Sequence, residues 1–157
     1  MLSPLGKVED NLRLIKDVFE LKGGRQMKYL VLLGRLFFAA IFIMAGPMHF
    51  TKADIAYGAS QGVPLASIVV PISGVIALLG GLSILVGYKA RYGAWLLVLF
   101  LVPVTIMMHN FWAESDPAAK SLQQIMFMKN LSMLGAAMLI AYLGSGPLSL
   151  DNRIHRS

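Results

Sequence analysis

Apolar residues gather into four long runs along this chain, roughly Tyr29 to Gly46, Leu65 to Gly87, Tyr92 to Met108 and Leu122 to Leu143. Each run is near the ~20 residues that an α-helix needs to cross ~30 Å of hydrocarbon. A membrane β-strand alternates apolar and polar residues. Runs such as Ala94 to Val102 do not, so the spanning elements are predicted to be helices, which satisfy their own backbone groups. The expected fold is all-α, an integral membrane four-helix bundle. The third run is the shortest and extends through His109, Asn110 and Phe111 toward the headgroups. Pro71 and Pro103 fall inside the second and third runs, where each removes one helical hydrogen bond.

Ahead of the first run the periodicity changes. Leu5, Val8, Leu12, Ile15 and Phe19 recur at steps of three and four, with Lys7, Glu9, Asp10, Arg13, Lys16, Asp17 and Glu20 on the other faces. This predicts an N-terminal amphipathic helix, started by Ser3-Pro4 and ended by Gly23-Gly24. It is expected to lie on the cytoplasmic membrane surface. Docking on a partner helix, or an extension ahead of a start at Met27, are the alternatives. The chain thus divides into a cytoplasmic amphipathic extension (1–26), a four-transmembrane-helix domain (27–151) and a cytoplasmic tail (152–157). Because the first strongly apolar run begins only near Tyr29, behind polar-rich residues, the cleavable-signal pattern does not fit and the spans are expected to stay in the mature protein.

Composition supports lipid as the solvent. The chain is 57% hydrophobic and 14% charged, with mean hydropathy +0.67, against about 25% charged residues in a soluble domain. A net charge of +6 would suggest nucleic acid in a soluble protein, but the placement of the charges argues against that partner. Ten of the 14 Lys and Arg fall on one face: Lys7, Arg13, Lys16, Lys22, Arg25 and Lys28 before span one, Lys89 and Arg91 between spans two and three, and Arg153 and Arg156 after span four. Only Lys52 and Lys120 lie in the opposite loops. By the positive-inside rule both termini are expected to be cytoplasmic. Tyr29, Tyr88, Tyr92, Trp95 and Tyr142 cluster at that inner boundary, and Phe50, Tyr57, Phe111 and Trp112 at the outer one, depths that amphipathic rings favour. With no cysteine, disulfides, thiolate metal sites and thiol redox chemistry on this chain are excluded.

All eight Asp and Glu fall outside the spans, a poor fit to cation-coupled pumping, which relies on intramembrane carboxylates or equivalent relays. The ionisable groups within the spans are Arg35, about two turns into span one, and Lys129, about two turns into span four. They can meet an anionic or carbonyl-bearing ligand, such as a quinone headgroup or lipid phosphate, or simply snorkel to the nearest headgroups. His49 and His109 lie beyond the outer ends of spans one and three, with Asn130 at comparable depth in span four. Imidazole and amide groups converging there can hydrogen-bond quinone carbonyls; the structural alternative is that they tie helix ends together. Met44, Met48, Met107, Met108, Met126 and Met128 share that half, but no tight Met-x-x-Met or His-x-His spacing supports a copper site, and methionine also serves as apolar filler. Ser73, Ala77 and Gly81 recur every fourth residue in span two, beside Gly74 and Gly80. Small residues at that spacing let helices approach closely, within the bundle or at a homo-oligomer seam. Gly144 or Gly146 is expected to cap span four, with Ser149 or Asp151 satisfying nearby donors or Asp151 pairing with Arg91 or Arg35.

From Gly34-Arg35 through Ala45-Gly46-Pro47-Met48-His49-Phe50, Gly80-Gly81-Leu82 and Gly87-Tyr88-Lys89-Ala90-Arg91, the chain resembles the DoxX family. His109-Asn110-Phe111-Trp112, Asn130 to Gly135 and Gly144 to Asp151 continue the likeness. The resemblance implies a four-helix protein of a bacterial-type inner membrane, associated with quinone-linked redox chemistry. Many relatives carry an acidic residue where this chain has Ala77, so any role for that carboxylate is lost. The leading expectation is a membrane subunit or anchor of an oxidoreductase, not independently catalytic, that binds quinone or another apolar ligand through Arg35, His49, His109, Lys129 and Asn130. A non-enzymatic scaffold or lipid-binding protein, and a carrier of small apolar or anionic solutes, are the alternatives.

Overall fold

A computed structural model of the protein describes residues 27–154. The expected amphipathic extension, residues 1–26, lies outside the described residues. The first helix, α1, covers 27–45 and tightens into a 3-10 turn over Gly46–Phe50, the whole forming one apolar rod Met27–Phe50. Next come α2 (Lys52–Ser60), α3 (Ala66–Val86), α4 (Ala90–Met108), a 3-10 turn at Phe111–Ala113, α5 (Pro117–Leu143) and α6 (Leu150–Ile154). The rod containing α1, together with α3, α4 (with its 3-10 extension) and α5, gives four helices long and apolar enough to cross a membrane.

Each long helix before α5 buries a stripe at helical spacing. On the first rod the stripe is Arg35, Ala39 and Phe42 of α1 and Gly46 of its 3-10 turn; on α3 it is Val70, Gly74, Ala77, Gly80, Gly81 and Ile84; on α4 it is Ala90, Ala94, Leu97, Leu101 and Thr105. Large apolar side chains cover the remaining faces, with Phe37, Ile68, Leu99 and Leu139 all exposed. In water that arrangement would be costly, at about 25 cal/mol per Å² of apolar surface. In hydrocarbon it costs nothing, and association rests on close packing instead.

The small residues provide that packing. Gly80 faces α4, where an added Cβ would lie 2.7 Å from Leu97 Cδ2 and 2.9 Å from the Gly93 carbonyl oxygen, whereas Gly81 faces α1, 3.1 Å from Phe42 Cβ. One glycine pair therefore lets α3 press against two neighbours at once. Gly74 similarly admits the 3-10 turn of the first rod, with Gly46 O and His49 Cβ each 2.7 Å from where its Cβ would be. Phe42 meets Phe100 edge-on at 6.2 Å between centroids, joining α1 to α4. Ala39, Phe42, Ala77, Ile84, Leu97, Leu101 and Ala137 fill the middle of the bundle. The outer helix α5 buries only Asn130 and Ala137 over its 27 residues.

The connections follow local chemistry. Thr51 caps α2, its Oγ1 accepting from Asp54 N at 3.2 Å, and Asp116 caps α5, accepting from Ala119 N at 2.8 Å. Neither α2 nor α6 is anticipated by the four-run pattern, since α2 lies in the connection between spans one and two.

Candidate functional site

Polar residues collect at the two ends of the bundle. Arg35 and His49 lie on the same rod, separated by about 20 Å at 1.5 Å per residue. The five candidates Arg35, His49, His109, Lys129 and Asn130 therefore do not form one constellation.

At the end where α1 starts and α5 finishes, the chain after α5 folds back onto the α3–α4 turn. Gly144 (φ 85, ψ −164) and Gly146 (φ 67) take conformations open to glycine, but Leu148 (φ 55) and Lys89 (φ 49) are left-handed without that freedom. Such a residue costs about 1–2 kcal/mol. The buried Arg35 offsets it, with Nη2 donating to the Leu148 carbonyl at 2.7 Å. A hydrogen bond from a charged donor contributes about 1.5–3 kcal/mol, enough to hold the strained residue. Arg35 Nε and Nη1 are buried and find no acceptor among the described residues. Gly87 (φ 71) leaves room for the guanidinium, since a Cβ there would sit on Arg35 Nη1 and Ser149 Cβ.

Asp151 is engaged at the start of α4. Its Oδ1 accepts from Lys89 N at 2.9 Å and its Oδ2 from Ala90 N at 3.4 Å, while Asp151 N donates to Gly87 O at 3.0 Å. Its charge also acts on Arg35. Ser149 Oγ donates to Gly146 O at 2.7 Å and accepts from Asn152 N at 3.2 Å. The tail is thereby fastened to α1, to the α3–α4 turn and to itself. The same fold-back frames a groove of about 680 Å³ beside Lys89, Arg91 and Tyr92.

At the opposite end, His109 follows α4 as its C-terminal cap. Its Nδ1–H donates to Gln123 Oε1 at 2.8 Å, and Gln123 Nε2 donates to the Tyr57 hydroxyl at 3.3 Å. The chain links α4, α5 and α2, leaving His109 Nε2 as an acceptor and the Tyr57 O–H as a donor. Phe111, Trp112 and Phe127 form an edge-on triangle nearby, with centroid separations of 5.2, 5.5 and 5.9 Å. His49 instead bonds within its own rod, Nδ1–H to Ala45 O at 3.0 Å, and meets Phe100 edge-on at 5.7 Å. Asn130 is buried, seven residues and so about two turns along the same face of α5 from Gln123. Lys129 is exposed on the adjoining face, its Nζ 3.4 Å from Met126 Sδ. Among the described residues no group of His, Cys, Asp and Glu is placed to hold a metal ion.

Neither Gln123 nor Tyr57 stands out in the sequence, Gln123 because it is a neutral amide in span four and Tyr57 because it reads as one ring of the outer aromatic belt. The seven-residue spacing from Gln123 to Asn130 is the signal that puts both amides on one face of α5.

Four helices long and apolar enough to cross a membrane, packed through small residues, define a polytopic membrane bundle. The DoxX family model matches residues 30–110. The chain is 30% identical over 132 residues to inner membrane protein YphA of Escherichia coli, covering 83% of this chain and 94% of that protein. It is 30% identical over 128 residues to inner membrane protein YqjF of the same organism, covering 80% and 92%. A shorter similarity, 28% over 79 residues, covers 50% of this chain and 25% of the ER-derived vesicles protein ERV29 of Saccharomyces cerevisiae. The chain belongs to the DoxX family. No solved structure matches it.

Proposed function

We propose that this protein is a non-catalytic inner-membrane subunit or anchor of an oxidoreductase, holding a quinone or similar carbonyl-bearing apolar ligand at the His109 end of the bundle. The observation that carries the reading is the His109–Gln123–Tyr57 hydrogen-bond chain beside the Phe111, Trp112 and Phe127 rings. It offers a donor and an acceptor at the bundle end that also carries these three rings, the chemistry a quinone headgroup needs. The inner-membrane location rests on the likeness to YphA and YqjF. In this reading Asn130 and His49 shape the surroundings of the ligand, and Arg35 serves the fold at the other end.

Extraction in native-lipid particles followed by mass spectrometry of small molecules tests the proposal. Wild-type protein is expected to retain quinone together with an oxidoreductase partner, and the pair His109→Leu and Gln123→Leu to reduce the retained quinone roughly tenfold, as for loss of one or two net hydrogen bonds. Absence of both quinone and partner from the wild-type particles overturns it.

The scaffold reading draws support from α5, which leaves most of its length unburied and so offers a face to a second helix. A carrier needs a continuous passage, whereas the middle of the bundle is filled by Ala39, Phe42, Ala77, Ile84, Leu97 and Leu101.

A further inference from the structure

We propose that the groove framed by the start of α4 and the fold-back after α5 is a binding site for the phosphate headgroup of an anionic phospholipid. This inference is independent of the ligand assigned to the His109 end.

The groove is an open one of about 680 Å³, lined by Lys89, Arg91, Tyr92, Gly144, Pro147 and Asn152, among others. That volume falls within the ~300–1,000 Å³ common for small-ligand sites and accommodates a phosphodiester with its polar substituent. Two cations, Lys89 and Arg91, line it with one carboxylate, Asp151. The carboxylate already accepts two backbone N–H groups at the start of α4, and the buried Arg35 adds a third positive charge behind the tail, through Leu148. The local balance is cationic. Arg91 runs along the backbone at Gly144, its Nε 3.2 Å from where a Cβ would project. That position thus keeps a planar donor group at the groove wall, suited to phosphate oxygens.

Depth selects a lipid over a soluble phosphate ester. Tyr88, Tyr92, Trp95 and Tyr142 are exposed around the same end of the bundle, as in the aromatic belt found at headgroup level. Leu143, the last residue of α5, lines the groove, and from there toward the middle of the bundle Leu139 on α5 and Leu99 on α4 present exposed apolar surface, along which an acyl chain can lie while its headgroup occupies the groove. The tail is clamped by Arg35, Ser149 and Asp151, so the wall is formed before the lipid arrives.

Trp95 lies one turn beyond Arg91 and reports on this location. A Trp112→Phe variant leaves Trp95 as the sole tryptophan. It would be placed in bilayers containing phosphatidylglycerol or phosphatidylcholine brominated on the acyl chains, and quenching of Trp95 measured. Brominated phosphatidylglycerol is expected to associate roughly thirtyfold more strongly than brominated phosphatidylcholine, the contribution of the two basic residues Lys89 and Arg91. Adding Lys89→Gln and Arg91→Gln should bring the two lipids to parity, while Lys52→Gln and Lys120→Gln at the other end should leave the preference in place. If either added pair proves poorly folded by circular dichroism, raising salt on the Trp112→Phe protein serves instead and should shrink the preference. Equal quenching by the two lipids, a preference that survives Lys89→Gln and Arg91→Gln, or one insensitive to salt overturns the proposal. So does loss of the preference on adding millimolar glycerol phosphate at matched ionic strength, since the groove would then take soluble phosphate esters.

Discussion

Gly87→Val is expected to destabilise the folded protein by about 3–5 kcal/mol, the sum of left-handed strain and overpacking. Gly87 sits at φ 71, and even a single Cβ there would lie on Arg35 Nη1 and Ser149 Cβ. Neither neighbour can retreat freely. Arg35 is tied to the Leu148 carbonyl, and Ser149, just ahead of α6, bonds Gly146 and Asn152. The substitution therefore breaks the junction among α1, the α3–α4 turn and the tail together. Titration of the helical signal with sodium dodecyl sulfate in mixed micelles measures the loss. A midpoint equal to that of the wild type would mean that the tail is not packed over Arg35.

The second large effect is Gly80→Val, for which about 1–3 kcal/mol or more is expected from overpacking. Here the obstacle includes backbone, because the Gly93 carbonyl oxygen is 2.9 Å from the site of the new Cβ and Leu97 is a fully buried residue of the core. Relief requires α3 and α4 to separate. Gly135→Val is the matched control: nothing lies within 4 Å of its Cβ position, so its effect should stay within about 0.5 kcal/mol, as for an open surface site. Equal midpoints for the two variants in the same titration would refute the close α3–α4 crossing.

The features written locally in the chain are those that the sequence conveys best. Run length and the absence of alternation identify the four helices, and the spacing of Ser73, Ala77 and Gly81 with Gly74 and Gly80 indicates a closely packed face on span two. In the fold, Gly74, Ala77, Gly80 and Gly81 are buried on α3 and Ser73 is half-buried. What depends on distant pairing is much less visible. Arg35 reads as a costly cation in a span, and the acceptor that occupies it, Leu148 O, is 113 residues away. His109 and Asn130 share a depth in the sequence, whereas the ring of His109 turns to Gln123, a neutral amide without the charge that marks Arg35 and Lys129. The connection after span one carries mixed hydropathy and gave no warning that α2 would place Tyr57 beside Gln123.

We propose that the four long apolar helices cross the membrane with the basic end of the bundle inside. Because the chain has no native cysteine, single replacements can be labelled cleanly with a membrane-impermeant maleimide. Ser60→Cys and Lys120→Cys are predicted to react in intact spheroplasts, and Lys28→Cys and Arg153→Cys only after permeabilisation. Reaction of Lys28→Cys and Arg153→Cys from opposite sides of the membrane would contradict four crossings.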